Sequence, residues 1–280
     1  MESHTRRSFL AAGSVAVVSG IALGKSGHQS ELSREGVAGA AGQDAGPTDY
    51  NGHDDPDQIR EFVGVCHGRL DRAEEMLKTN PDLAKASWDW GFGDYESGIG
   101  ACSHTGQIAI IELLLGHGAR PTIFTLATLD KIAAVRGFIE SMPGARDIEG
   151  PHSISLYRHA QAGKATSVMK YLEKAGLGSG PNLFETDQGR VEPYVGVYEA
   201  GSESESNFEI SWAERWGCLS IQTQAMAARN LMPLKDQHQA ETGPVFRPAG
   251  SRGARVMFPS PDQLVVKHGG RTWNARRVDG

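Results

Sequence analysis

From Gly106 to Ala119 the chain reads G-Q-I-A-I-I-E-L-L-L-G-H-G-A, and Ile110, Ile111, Leu113, Leu114 and Leu115 place apolar side chains on nearly every side of one short helix. A lone surface helix cannot carry that distribution, whereas a helix sandwiched between neighbours requires it. With the segment from Ser97 to Thr105 ahead of Gly106, the stretch reads as helix, tight turn and second helix. Such a unit needs copies of itself on either side.

Shifting the pattern along the chain finds them. Gly68 with Leu70, Ala73, Met76 and Leu77 repeats it upstream; Ile132, Val135 and Phe138 repeat it around Asp130; Gly163, Val168, Tyr171 and Leu172 repeat it before Gly176. About four degenerate units therefore run from Asp57 to Gly176, the third short, with an insertion between the first and second. Ile99, Cys102, Ser103, Gly106, the two isoleucines, the three leucines and Gly118-Ala119 fall in the register of the ankyrin repeat, which this region resembles. Gly98 and Gly100 depart from the proline and histidine usual there. The resemblance implies a stack of helix pairs with a concave recognition side.

Past Gly176 the segment Leu177 to Glu192, carrying Gly178, Gly180, Pro181 and Gly189, breaks the helical period. The pattern then alternates in Tyr194–Tyr198, Phe208–Trp212, Leu219–Gln222, Val256–Phe258, Gln263–Lys267 and Arg271–Val278. Short alternating runs between Gly, Pro, Asp and Ser turns predict an antiparallel meander curling into a small barrel. From Tyr194-Val195-Gly196-Val197-Tyr198-Glu199 to the closing Ala275-Arg276-Arg277-Val278 the order is similar to the lipocalin-like domain appended to serine β-lactamase-related hydrolases. That resemblance implies a fold and an accessory role and transfers no catalytic residue. Trp212, Phe208, Ile221 and Val266, facing inward, would fill a small barrel as well as line a pocket for a small apolar ligand.

At the other end, Thr5-Arg6-Arg7-Ser8-Phe9-Leu10 precedes a mild apolar run to Gly24 that is too short for a membrane span. This resembles a twin-arginine export signal, which sends folded proteins across the inner membrane. Ala38-Gly39-Ala40 is a cleavage candidate, and an uncleaved segment would leave the protein anchored in the inner membrane. Residues Lys25 to Pro56, poor in large apolar side chains, read as a flexible tether.

The fold class expected is thus α+β and multidomain, an ankyrin-type helical repeat stack followed by a small antiparallel β-barrel or half-barrel. Its divisions are a signal segment over 1–40, a linker over 41–56, repeats over 57–176, a second linker over 177–192 and the β-domain over 193–280.

The candidate site is the insertion Ser87–Glu96. Trp88, Asp89, Trp90, Phe92, Asp94 and Tyr95 put four aromatics among acids and glycines, where a repeat scaffold projects a loop. Two readings stand side by side: a partner-binding hot spot centred on Trp90, with Asp89 and Asp94 orienting a basic or hydroxyl-bearing group, or Trp88 and Trp90 folded back as a cap on the first unit. His104 and His117 are expected at exposed helix ends, His117 meeting the helix dipole, and His159 is expected packed with a ring nitrogen on a carbonyl; with His152 these are assigned structural roles. No cofactor and no metal is expected.

Chemistry finds little purchase. A net charge of -6 without a basic cluster excludes a nucleic-acid footprint. Cys66, Cys102 and Cys218 are too few and wrongly spaced for a zinc site or a disulfide framework, and buried free thiols are expected. Ser167-Val168-Met169-Lys170 matches a serine-x-x-lysine pattern, but on a helix whose neighbours are needed for packing. The function expected is a non-enzymatic exported interaction module for an unidentified protein of the cell envelope, periplasmic or secreted. The alternatives are a serine β-lactamase-related hydrolase or its accessory subunit, and binding of a small apolar ligand in the β-domain.

Overall fold

The computed structural model describes residues 55–178, 184–201, 207–234 and 243–278. The segment over 1–40, expected as an export signal, and nearly all of the expected tether lie outside the described residues.

The helical half is built from antiparallel pairs. α1 (Pro56–Val65) turns into α2 (Leu70–Thr79), α3 (Gly98–His104) into α4 (Ile108–Gly116), α5 (Ile123–Thr128) into α6 (Ile132–Ser141), and α7 (Leu156–Ala162) into α8 (Thr166–Lys174). The first helices of the pairs pack in series, α1 on α3 on α5 on α7, while α2 meets α4 and α6 meets α8 behind them. Ile110, Ile111 and Leu114 of α4 are buried, and Leu113 and Leu115 pack against the same core. The all-round apolar character of that helix therefore has its physical cause in neighbours on several sides.

Turn chemistry fixes the pair spacing. Gly106 has φ +71°, and a Cβ there would lie 2.2 Å from the Ala162 carbonyl oxygen at the end of α7, so both the turn and the close approach exclude a side chain. At the equivalent turn Asp130 also takes a left-handed φ of 54°. Its carboxylate accepts the Val168 and Ser167 N–H groups (2.8 and 3.3 Å), satisfying orphan donors at the start of α8. Buried hydroxyls tie pair to pair: Ser103 Oγ donates to Thr125 Oγ1 (3.0 Å), and Thr128 Oγ1 to the Ser103 carbonyl (3.0 Å).

The second half is a closed antiparallel barrel of eight strands in the order β10-β3-β4-β5-β6-β7-β8-β9. They are β3 (Gly196–Glu199), β4 (Asn207–Ala213), β5 (Cys218–Thr223), β6 (Met226–Pro233), β7 (Val245–Pro248), β8 (Arg255–Ser260), β9 (Gln263–His268) and β10 (Arg271–Arg277), following a two-stranded hairpin of β1 (Ser87–Asp89) and β2 (Tyr95–Ser97) in the helical half. β10 pairs with β3 through Arg276↔Glu199 and Arg277↔Tyr198, so the sheet closes and leaves no half-barrel edge. Tyr198, Phe246 and Phe258 are fully buried and fill the interior with Phe208, Ile221 and Val266, while Trp212 is half-buried against the same cluster. The segment expected as a linker carries a short helix, α9 (Gln188–Val191), whose Val191 packs into the barrel core.

Cys66, Cys102 and Cys218 are buried free thiols. Among the described residues no helix is long and apolar enough to cross a membrane.

Candidate functional site

Two loops on the α1–α3–α5–α7 side carry the polar residues of the site. The first is the β1–β2 hairpin, paired through Trp88↔Glu96 and Asp89↔Tyr95. Its tip is held by Gly91, Phe92 and Gly93, all with positive φ, and by Asp89 Oδ1 accepting the Gly91 N–H (2.9 Å). Because side chains alternate along a strand, Asp94 and Glu96 turn inward (2% and 1% exposed) and Tyr95 between them turns to solvent (69%). The second loop, closed by a Glu149↔Ser155 bridge, presents His152.

His152 and Ser153 both hold φ near +59°, a conformation non-glycine residues seldom adopt. The surroundings over-determine it. Asp94 Oδ1 accepts the His152 N–H (2.9 Å), and Ser153 Oγ receives hydrogen bonds from the Gly250 N–H (2.9 Å) and Arg247 (3.2 Å) of the barrel. Arg247 also grips Glu149 with two hydrogen bonds, at 2.8 and 3.1 Å.

Around Glu96 three imidazoles converge. His104, at the end of α3, lies 2.9 Å from Oε1 through Nε2; His67, just past α1, and His152 approach Oε2 through Nε2 at 3.4 and 3.3 Å. Trp90 Nε1–H donates to Oε2 at 2.7 Å. His67 Nδ1 faces the Val63 and Gly64 carbonyls (3.2 and 3.1 Å), and His152 Nδ1 faces Asp94 Oδ2 at 2.5 Å. The ring pairs pack at centroid distances of 5.0 to 6.4 Å. From the barrel, Arg229 donates Nε–H to the Trp90 carbonyl (3.1 Å), lies over the Trp90 ring and faces Asp94 at 3.7 Å.

The electrostatics follow from burial and neighbours. Burial would raise the Glu96 carboxyl, but hydrogen bonds from His104 and His152 and the nearby imidazoles outweigh it and hold it well below the usual range. Burial likewise opposes charge on His152, yet Asp94 and Glu96 on either side lift it to about 9. His67 is lowered, chiefly by burial. Burial and the Glu96 charge push the Cys66 thiol up to about 12, keeping it protonated beside the cluster. His159 is fully buried beside His104; burial lowers it to about 4, and it donates Nδ1–H to the Ser155 carbonyl at 2.9 Å.

The six residues singled out from the sequence share the hairpin but not one environment. Trp88 and Trp90 are half-buried against the α1–α4 core, and Phe92 packs against the barrel and His268. Asp94 is sunk between His152 and Arg229, a correction to its expected place at an outer recognition surface. His104, expected at an exposed helix end, is corrected too: its side chain is 10% exposed and turned onto Glu96, because the hairpin folds back across the end of α3. His117 is exposed past the end of α4, as expected. Ser167 and Lys170 are exposed on the flank of α8.

His67, Glu96, Arg229 and Arg247 were not legible as site residues. One signal was available: His67 precedes Gly68 by one residue and His104 precedes Gly106 by two, so both end first helices of adjacent pairs and must meet if the pairs stack. Compared with protein-family models, with curated proteins and with solved structures, the chain finds no match.

Proposed function

We propose that the chain is an exported, non-enzymatic binding protein. An ankyrin-type stack, braced by a lipocalin-like barrel, engages a protein of the cell envelope at the loop side of the helix pairs. The observation that carries this reading is an open cleft of about 300 Å³ beside the hairpin, lined by Tyr95, Ser97, Thr122, Phe124, Glu149 and Pro151 among others. Tyr95 stands at its edge as an exposed large aromatic, the kind of side chain that gives contact area at low entropic cost. Asp94 of the hairpin lines the cleft as well. Ser167 and Lys170 lie on another helix flank, which supports the non-enzymatic reading over a hydrolase. The Arg6-Arg7-Ser8-Phe9-Leu10 segment supports export.

The test is a photo-crosslinking residue at position 95 in cells that export the protein, with position 271 on the barrel as the comparison. A discrete adduct from position 95 alone is expected, and it should vanish when Arg6 and Arg7 are both changed to Lys. Equal labelling from both positions, or none from position 95, overturns the reading.

A further inference from the structure

We propose that His67, Glu96, His104 and His152 form a binding site for one divalent transition-metal ion of borderline softness, with zinc as its type. This assignment is independent of the cleft and of any partner.

The first argument is distance. Each of the four residues offers a ligand atom, and these atoms all lie within 4.8 Å of one another. Zinc with nitrogen and oxygen ligands at about 2.0–2.1 Å sets tetrahedral ligand–ligand edges of roughly 3.4 Å. From Glu96 Oε2 the Nε2 atoms of His152 and His67 lie at 3.3 and 3.4 Å, already near that edge, and His104 Nε2 lies 2.9 Å from the other carboxylate oxygen, Oε1. With every ligand atom within 4.8 Å of the others, no separation has to contract by more than about 1.4 Å to reach such a shell.

The second argument is what stands behind the ligands. A metal-binding histidine almost always commits its other ring nitrogen to a carboxylate or a backbone carbonyl, which fixes the tautomer and aims the lone pair. His152 does so with Asp94, and His67 does so with the Val63 and Gly64 carbonyls. Glu96 is steadied from the side by the Trp90 indole. These supports come from different parts of the chain, and the barrel completes them: Arg229 faces Asp94, and a Cβ on Gly250 would come within 1.9 Å of Asp94 Oδ1, so the barrel backbone walls in the carboxylate that orients His152. His152 itself holds a left-handed conformation in which Asp94 Oδ1 accepts its backbone N–H.

The third argument is charge and donor type. Glu96 is a fully buried carboxylate facing three imidazoles, so a cation that displaces the protons on Nε2 can bind the carboxylate and the three ring nitrogens together. Three imidazoles and one carboxylate suit zinc, cobalt, nickel or copper, whereas calcium and magnesium take shells of oxygen. Cys66 and Cys102 are buried free thiols outside the ligand set. As the ion enters, protons on the ligating nitrogens leave to solvent. The ligands come from the end of α1, the hairpin, the end of α3 and the 149–155 loop, so one ion ties together the first two helix pairs, the hairpin between them and the loop on which the barrel rests.

The test uses the purified full chain, stripped with a chelator and titrated with zinc against a chromophoric competitor, and with cobalt to read its visible ligand-field bands. Binding of one ion per chain is expected, with a cobalt spectrum of a nitrogen- and oxygen-ligated tetrahedral centre lacking thiolate charge-transfer intensity. Glu96→Gln and His67→Ala should each weaken zinc at least about 100-fold, and Asp94→Asn by about 10–100-fold as expected for an outer partner. His117→Ala should change nothing. His67, about a third exposed, and the near-isosteric Glu96→Gln keep the comparison interpretable if a variant at His152 fails to fold. Weak binding of several ions that ignores these substitutions, or absence of binding, overturns the proposal.

Discussion

His159 shows how a single residue can set a pH limit without touching solvent. Its folded-state value is lowered to about 4 from an ordinary 6.5 because burial disfavours the imidazolium. Between those values the unfolded chain binds more protons than the folded one, so stability falls as the pH drops from 6.5 towards 4 and is fully present above 6.5. The shift corresponds to a loss of roughly 3 kcal/mol. Urea midpoints measured across that window for the native chain and for His159→Leu should differ in slope, the variant falling less steeply on acidification. Equal slopes would mean that this imidazole is protonated as easily in the fold as outside it. Gly150 places a tight constraint on the same ring, since a Cβ there would lie 2.8 Å from His159 Cε1. The packing of His159 against a carbonyl was legible from its place in the repeat, whereas the Gly150 constraint was not, Gly150 being one of thirty-five glycines.

At the scale of elements, the sequence pattern and the structure agree where hydrophobic period alone decides. Ile110, Ile111 and Leu114 mark α4 as a sandwiched helix, and Leu114→Ala should cost about 2–5 kcal/mol in urea unfolding. A cost near zero would mean α4 lacks neighbours on its inner faces. The strands with clean alternation, Phe208–Trp212 and Gln263–Lys267, were legible for the same reason. β6 was not: Met226-Ala227-Ala228-Arg229-Asn230 has no alternation, because Arg229 leaves the barrel to reach Trp90 and Asp94 while Met226 packs beside Gly91 of the hairpin. A strand recruited to a polar seam loses the pattern by which strands are recognised. The metal-ligand cluster stayed hidden for a related reason. Period reports which face of one element is buried, and it does not report which element ends meet. His67, Glu96, His104 and His152 become neighbours only after three helix pairs have stacked and two loops have folded across their ends.

At the scale of the whole molecule, the resemblance of the β-region to an appended accessory domain implies a barrel hung on a linker, and the described contacts bind it far more closely. Arg247 neutralises Glu149, Arg229 faces Asp94, Gly250 closes on Asp94, and Gly91 meets the Met226 side chain with no room for a Cβ. Removing the barrel would strip Glu149 of Arg247 and Asp94 of Arg229, leaving Asp94 to His152 alone, and would open the seam to water. The stack and the barrel should therefore unfold together. Native-state hydrogen exchange should give α4 amides and β5 amides the same opening free energy, and denaturation followed by far-ultraviolet circular dichroism and by tryptophan fluorescence should show coincident transitions. Arg247→Ala, which deletes a largely buried two-bond grip on Glu149, should lower stability by about 2–3 kcal/mol and separate the two transitions by loosening the barrel first. If the native chain already melts in two well-separated steps, the barrel is an independent domain, and the seam contributes too little to couple it to the helices.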